Sequence, residues 1–454
     1  WLKRSYHPHV KVSMTFDEAN KKVVVAMTQS GFEGIKQTMS PEEKGGPWDF
    51  GADFKAPWTF PVEWALVKDG KNVKAGTRIM AKASETFEIT GVAAKPDFLS
   101  FARGFSYFGT YTVTTATTEN LALQACSDTD LVNRFLAYRA IAEGEKARLV
   151  ELKARSPSKD LKTTDVSVDY RKAHAAIMFD DRLQGMARAL ICMEPESVDS
   201  RPDLAHQYWF ISQAKTTMLA AVFDEYKEKI LKLFDTLEAA NKPSPLKQQL
   251  HDRALKGHCL RLMAAAAKAG TDKKKATEDA SKRAKALIDS AFMSDRIRGV
   301  VNYLELQEPK ARDAKIEELK KSWGTQMDSA EELIGCISSI DSDDSPTIIA
   351  RLIEDKIFDI NLAGHARRVV RNWAANRKRC VLTDTGLEFT AKLLVTVAKV
   401  NQMSAYALLD SFGDLNKFDE KQKQKMIATL KSMLAKLDPA KETSICNQIN
   451  RLIA

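Results

Sequence analysis

The stretch N-L-A-G-H-A-R-R-V-V-R-N-W-A-A-N, residues 361–376, spaces its apolar side chains as an amphipathic α-helix does. Val369, Val370 and Trp373 fall on one helical face. A second stretch, F-T-A-K-L-L-V-T-V-A-K-V, follows at residues 389–400 after a short polar turn. The two segments predict a pair of helices that bury one face each.

Two arginines of the first helix, Arg367 and Arg371, lie one turn apart on a different face. A row of arginines beside an apolar stripe is most often a solvated helix face. A binding role for Arg367 therefore needs support from its surroundings.

The composition is that of a globular protein, with 44% hydrophobic and 28% charged residues in 454. This length predicts two or three domains. No run of 18 apolar residues occurs, so we expect no membrane span and no membrane partner.

The chain begins at Trp1 without a charged and apolar leader, which predicts no signal peptide and hints at a piece of a longer product. Six dispersed cysteines without a C-x-x-C pair favour reduced thiols in a cytoplasmic protein.

The net charge of +9 is spread along the chain. The densest basic runs are Arg377–Arg379 and Lys273–Lys275. We interpret each as a solvated loop or helix end rather than a phosphate site.

The first part of the chain is predicted to be β-rich. Val10, Val12 and Met14 alternate with polar residues, as in a half-buried strand. Further short strands are expected at residues 23–27, 60–67, 86–89 and 110–113, with the turn signal Asp69-Gly70 after the second of these. Several short strands at this spacing predict a small antiparallel β-sandwich. The stretch from Gly31 to Phe60 is expected to be a long loop and has no functional interpretation.

From about Asn120 the apolar period becomes that of a helix and stays so to the end of the chain. One late helix should open after Asp419, a plausible N-cap. The fold class is therefore mainly α: a β-sandwich at residues 1–118, then an α-helical superhelix, an ARM/HEAT-like α-solenoid, at residues 119–454.

No motif of a known active site occurs in the sequence. H-E-x-x-H, G-x-S-x-G, a P-loop and a Rossmann fingerprint are all absent. The acidic turn D-S-D-D at residues 341–344 lacks the glycine and the terminal glutamate of a calcium loop, so it is expected to cap a helix. We predict no catalytic residue, no metal ligand and no cofactor within this chain.

Four local patterns, in chain order, resemble the C-terminal half of the aminopeptidase N family of zinc metallopeptidases, in particular its alanyl-aminopeptidase-like branch. They are a strand with F-P-V and D-G (residues 60–70), F-L-S-F-A-R-G-F-S (98–106), D-T-D-L-V-N-R-F (128–135), and a late helix (415–426). After the second pattern, Tyr107 and Phe108 replace the A-P that is usual in the family. In the fourth pattern, Phe418 occupies the place of a tyrosine.

The resemblance implies that the chemistry lies upstream, in a domain that carries H-E-x-x-H and G-A-M-E-N. Neither motif occurs here, so zinc is implied only in the missing catalytic half. The sandwich would join that domain, and the superhelix would cap a cavity that admits peptides.

The family's arginine-bearing segment N-P-N-R-x-R falls on residues 362–367, where His365 stands for its first arginine and Arg367 matches its second. Its later N-P-Q-x-A-x-R segment begins at Asn401, with Met403 in the place of the glutamine. The resemblance thus implies substrate-cavity roles for Arg367, Asn401 and Met403. A structural ion pair is the alternative for Arg367.

The sequence thus predicts the non-catalytic C-terminal region of a zinc aminopeptidase, inactive by itself, whose partners are peptides and the upstream catalytic domain. One alternative is a helical-repeat scaffold that binds another protein. The other is a nucleic-acid binder using the basic helix around residues 367–379, which we disfavour because the nearby aromatic residues have core spacing.

Overall fold

The structure of the protein is a computed structural model that describes residues 7–31, 56–193, 202–240 and 246–454. The loop predicted from Gly31 to Phe60 lies almost entirely outside the described residues. Within the described ranges, no helix combines the length and the apolar character needed to cross a membrane. The chain divides into two compact units, residues 1–145 with 168–180 and residues 146–167 with 181–454.

Seven strands in the described residues form the β part of the first unit. They are β1 His9–Asp17, β2 Lys22–Ser30, β3 Phe60–Lys68, β4 Lys71–Met80, β5 Ser84–Thr90, β6 Phe98–Phe101 and β7 Thr110–Val113. One sheet has the order β5-β2-β1-β7 and the other the order β4-β3-β6. All pairs are antiparallel except β1 with β7, which is parallel. The predicted sandwich is confirmed, with this one parallel edge as a difference.

The sandwich core is built by the alternation that the sequence shows. Val10 and Val12 of β1 are fully buried, and they join Phe60 and Leu66 of β3 in one apolar cluster. The predicted turn after β3 is also present, and both Asp69 and Gly70 have positive φ there. Sequence reasoning missed β4, because this strand is exposed along nearly its whole length and carries no apolar alternation.

The helices begin with α1 at Thr118, close to the predicted change of period near Asn120. In the described residues they are α1 Thr118–Ser127, α2 Leu131–Arg155, α3 Val168–Met178, α4 Gly185–Ile191, α5 Pro202–Ala205, α6 Tyr208–Ala240, α7 Leu246–Ala269, α8 Lys273–Ile288, α9 Met293–Leu306, α10 Pro309–Trp323, α11 Met327–Ser338, α12 Ser345–Ile353, α13 Ala363–Ala375, α14 Arg377–Cys380, α15 Asp384–Ala398, α16 Gln402–Leu409, α17 Glu420–Leu434 and α18 Thr443–Ile453. Many successive helices pack against each other, notably α6 to α9. The mainly α fold class is confirmed.

The helices predicted at residues 361–376 and 389–400 are α13 and α15 in the structure. The apolar face of α13 is buried, and Trp373 is completely inaccessible. Its indole nitrogen donates a hydrogen bond of 2.8 Å to the Thr390 hydroxyl, and its ring meets Phe389 edge-on at 5.3 Å. Asp419 also caps α17 as predicted, since its side chain accepts from the Gln422 backbone N–H at 2.9 Å.

Candidate functional site

The sequence patterns at residues 98–106 and 128–135 meet in the first unit, where they join the sandwich to its first helices. Arg103, just after β6, lies 3.0 Å from the Asp128 carboxylate. The Ser100 hydroxyl donates to the same carboxylate at 3.0 Å. The Asp128 side chain is fully buried, so this ion pair is well shielded from water.

Asn133 completes this joint from the first turn of α2. Its amide nitrogen donates to the Phe101 carbonyl and to the Ser100 hydroxyl, and its amide oxygen accepts from the Tyr111 hydroxyl at 2.9 Å. Asp130 caps the helix by accepting from the Asn133 backbone N–H. Both patterns therefore serve structure: they fix α2 to the ends of β6 and β7.

The late pattern at residues 415–426 is structural as well. Phe418 and Met426 are buried in the core of the second unit. Gln422 donates from its side-chain amide to the Val381 carbonyl at 2.5 Å, which ties α17 to the segment before α15.

The three residues predicted to line a substrate cavity lie on α13 and at the start of α16, which pack against each other. Arg367 is exposed and makes no hydrogen bond or ion pair within the described part of the chain. Asn401 is the N-cap of α16, accepting from the Ser404 backbone N–H at 2.9 Å, and Met403 is 86% exposed. None of the three lines the groove described below, so their roles in a cavity remain predictions.

His365, at the position of the family's first arginine, is held within the structure. Its side chain is buried, and its Nδ1 accepts from the Asp359 backbone N–H at 3.0 Å. The ring also lies 6.0 Å from that of Phe358. It therefore orders the turn that precedes α13.

A groove runs along α6 and α7 in the second unit, and we call it the central groove. It consists of two adjoining cavities of about 580 and 600 Å³. The two share Ser212, Thr216, Lys268 and Lys378 in their linings. At this size the groove can hold several residues of an extended peptide.

Helical periodicity explains why α6 and α7 both face this groove. Trp209, Ser212, Gln213 and Thr216 of α6 recur at helical spacing and line one cavity. On α7, lining residues from Ala254 to Lys268 recur with the same spacing. The groove is therefore set by one face of each helix.

A glycine makes room for one cation at the groove. A Cβ on Gly257 would lie 2.6 Å from Nε of Arg298, a separation that normal side chains do not tolerate. Arg298 lies across this glycine and donates to the Arg253 carbonyl at 3.1 Å. The guanidinium is thus anchored beside the groove.

Positive charge dominates the lining of the groove. The cations are Lys162, Lys268, Lys273 and Lys378 around the first cavity, with Lys215, Arg261 and Arg298 added around the second. The carboxylates are Asp160, Glu305 and Asp341. Seven cations therefore face three anions, which gives the groove an attractive field for negative groups.

Two ion pairs organise the middle of the groove. Lys268 lies 3.0 Å from Glu305, and Lys378 contacts Asp341. Burial lowers the pKa of Lys268, but the Glu305 and Asp341 carboxylates outweigh it and hold that pKa above its usual value. Burial raises the pKa of Asp341, but Lys378, Lys268 and Arg379 together outweigh this effect, so the Asp341 pKa lies below its usual value. Lys268 and Asp341 are therefore both charged at neutral pH.

The basic run at residues 377–379 is paired with acidic turns. Arg379 contacts Asp341 at 3.0 Å and also Asp343, and Arg377 lies 3.7 Å from Asp414. The acidic turn at residues 341–344 precedes α12 and places Asp344 at its N-cap position, but the Asp344 side chain makes no capping hydrogen bond. The backbone N–H of Ser342 donates to the Ser345 hydroxyl. These carboxylates offset the charge of residues 377–379, which is part of the basic segment on which the nucleic-acid interpretation relied.

Sequence reasoning did not find the central groove, although a signal was present. The two densest basic runs each send one side chain to it, Lys273 from one and Lys378 from the other. Trp209 lies beside them, with the Arg379 guanidinium 5.6 Å from its ring centre. These residues belong to α6, α8 and α14, which are far apart in sequence, so only the packing of the helices brings them together.

The fold and its groove define a helical-repeat domain attached to a β-sandwich. A family model described as a domain of unknown function (DUF3458_C) with ARM repeats matches residues 118–447. The chain belongs to this family, the C-terminal domain of aminopeptidase N-like proteins, so the resemblance seen in the sequence is confirmed. A comparison with curated protein sequences finds no match.

Among solved structures, that of Legionella pneumophila aminopeptidase A in complex with aspartic acid is similar, with a TM-score of 0.71 and 15% sequence identity. The match covers 98% of this chain and 49% of the Legionella chain. At this identity the match establishes the fold. The chain spans about half the length of that structure.

Proposed function

We propose that this chain is the non-catalytic C-terminal region of a zinc aminopeptidase, and that its central groove borders the path of the peptide to an upstream catalytic domain. Three findings support the proposal: the family, the fold shared with the Legionella aminopeptidase, and a groove of peptide size. The groove is the observation that carries it, because a capping domain needs a concave surface that admits an unfolded chain.

The lining of the groove suits a peptide backbone. The Thr216 hydroxyl donates to the Ser212 carbonyl of its own helix, so its oxygen can still accept a hydrogen bond from a peptide N–H. Gln213 is exposed beside it and offers both a donor and an acceptor. Apolar side chains of α4 and of the residues after it, including Leu190 and Met193, form part of another wall.

Zinc belongs to the upstream half in this proposal. The present chain lacks the H-E-x-x-H motif that would hold the ion, so its own residues do not fit a catalytic site. When bound upstream, zinc would activate a water for peptide hydrolysis. The contribution of this chain would be to bind and orient the peptide and to exclude folded proteins.

The intact protein would remove amino-terminal residues from peptides in the cytoplasm. Its partners would be peptide substrates and its own upstream catalytic domain, and neither nucleic acid nor a membrane is required.

The test compares this chain with the full-length product from its native source. We expect a larger product with about one zinc per molecule that hydrolyses aminoacyl-naphthylamides, and no turnover by the 454-residue chain alone. Turnover of the isolated chain rescued by zinc would contradict the proposal. A native product without zinc would favour the helical-repeat scaffold instead.

The predicted role of Arg367 can be tested in the same full-length protein. Because Arg367 is exposed and unpaired among the described residues, Arg367→Ala should leave stability unchanged. Loss of a guanidinium that binds a carboxylate should raise KM about fivefold to tenfold. Arg371→Ala, one turn away and also exposed, is the matched control. Equal KM values for both variants and the parent protein would refute a cavity role for Arg367.

A further inference from the structure

The central groove is selective in charge as well as in size. Cations exceed carboxylates in its lining by seven to three, and at least two of the cations are uncompensated. Lys162 and Lys273 are exposed and make no ion pair within the described residues. A ligand that enters the first cavity would therefore meet two lysines that are not ion-paired within the described residues.

Several cations of the groove are fixed in position, which favours recognition of a particular ligand charge. Lys268 and Lys378 are held by Glu305 and Asp341, and Arg298 is held over Gly257. A fixed cation loses little conformational entropy when it binds an anion. Two pre-arranged cations and two free lysines thus surround the first cavity.

One wall of the groove, at the second cavity, is apolar, although cations line this cavity as well. Met186, Leu190 and Met193 line the second cavity, and Leu190 is 54% exposed. A ligand with negative charge alone would leave this wall uncovered. A peptide that carries both acidic and apolar side chains would satisfy both walls, which a nucleic acid or a small inorganic anion would not.

We propose that the central groove binds peptide segments with acidic side chains downstream of the amino-terminal residue, and so selects acidic peptides as substrates. This inference rests on the proposed function and deepens it. The recognised groups are side-chain carboxylates, and the free carboxyl terminus of the peptide is not needed.

The test measures binding of two peptides to the 454-residue chain by fluorescence anisotropy. Both peptides are amidated at the carboxyl terminus and contain the same apolar residues, and one has three glutamates where the other has three glutamines. We expect the glutamate peptide to bind about tenfold more tightly at low salt, with the preference shrinking as salt increases. Equal affinity for the two peptides would overturn the proposal.

Matched lysine variants locate the binding site. Lys162→Met with Lys273→Met should weaken binding of the glutamate peptide about fivefold to tenfold and leave the glutamine peptide unaffected. Lys274→Met is the control, because Lys274 is also exposed but does not line the cavity. Equal loss in the control would place binding elsewhere on the surface and overturn the proposal.

A competitor separates peptide recognition from general attraction of polyanions. A single-stranded oligonucleotide of equal charge should compete at least tenfold more weakly than the glutamate peptide, because it has no apolar side chains for the α4 wall. Equal competition would overturn the assignment of a peptide ligand. Since these measurements need no turnover, an inactive full-length protein would refute the aminopeptidase proposal independently of the binding preference.

Discussion

At the scale of single residues, the best-defined feature is the buried ion pair between Arg103 and Asp128. Asp128→Ala would leave Arg103 without its carboxylate and would also remove the acceptor of Ser100. We expect a loss of about 3–5 kcal/mol in the free energy of unfolding, measured by urea denaturation.

An exposed pair provides the control for that measurement. Glu388 and Lys392 are one turn apart on α15, and both side chains are 69% exposed. Glu388→Ala should change stability little, since water and salt screen such pairs. Equal losses for Asp128→Ala and Glu388→Ala would show that burial does not set the strength of the Asp128 pair.

His174 of α3 gives the first unit a pH dependence. Its imidazole is fully buried and lies 2.8 Å from the Tyr138 hydroxyl, and burial lowers its pKa from 6.5 to about 3. Below pH 6.5 the unfolded chain binds a proton that the folded chain does not. The free energy of unfolding should therefore fall with decreasing pH, by up to about 1.4 kcal/mol per pH unit.

Urea denaturation of variants between pH 5 and pH 8 checks this dependence. His174→Gln has no titrating imidazole, so its free energy of unfolding should depend less steeply on pH in this range. His206→Gln, at an exposed position, should keep the slope of the parent protein. An unchanged slope in His174→Gln would assign the pH dependence to other groups.

At the scale of elements, replacing two helical glycines by alanine should have opposite effects on the stability of the protein. A Cβ at Gly299 of α9 would lie 2.7 Å from the Ala284 carbonyl oxygen and 2.9 Å from the Leu287 Cβ, so Gly299→Ala should separate α8 from α9. We expect a loss of about 1–3 kcal/mol in thermal or urea denaturation.

Gly144 of α2 is the matched control, because nothing lies within 4 Å of the Cβ that alanine would add. Gly144→Ala should stabilise the protein by up to about 1 kcal/mol, since alanine restricts the unfolded chain and favours the helix. A destabilising Gly144→Ala, or a neutral Gly299→Ala, would contradict this account of the helix packing.

The elements differ in how far the sequence predicts them. Local periodicity was sufficient to predict β1, α13 and α17, because the spacing of apolar residues in the sequence marks the buried face of each element. It failed for β4, whose side chains are almost all exposed, so that only pairing with β3 defines the strand. The N-cap Asp419 was predictable because capping depends on neighbouring residues alone.

At the scale of the whole molecule, the predicted boundary between residues 118 and 119 leads to a test. A protein of residues 119–454 would lack β6, so Asp128 would lose Arg103 and Asn133 would lose the Phe101 carbonyl. We expect this shortened protein to have a lower Tm than the whole chain and faster proteolysis near α1 and α2. Equal Tm values would support an independent helical domain that begins at residue 119.

The central groove shows why the candidate site could not be derived from the sequence. Lys162, Trp209, Lys268 and Lys378 belong to segments separated by many residues, and none of these segments matches a known motif. Their proximity follows from the packing of α6 and α7 with α14 and with the segment before α3, which periodicity alone does not specify. In contrast, the family patterns were recognisable because each is a short run of consecutive residues.

The intrinsic fluorescence of Trp209 can report on ligand binding in the central groove. Its indole is 39% exposed at the first cavity, with the Arg379 guanidinium near its face, whereas Trp58, Trp323 and Trp373 are buried in apolar cores. Indole emission depends on the polarity and charge around the ring, so a ligand that displaced water or moved Arg379 would shift the spectrum of this one residue. Occupancy could then be followed in the unlabelled protein, and rapid mixing would give the rates at which a ligand arrives and leaves.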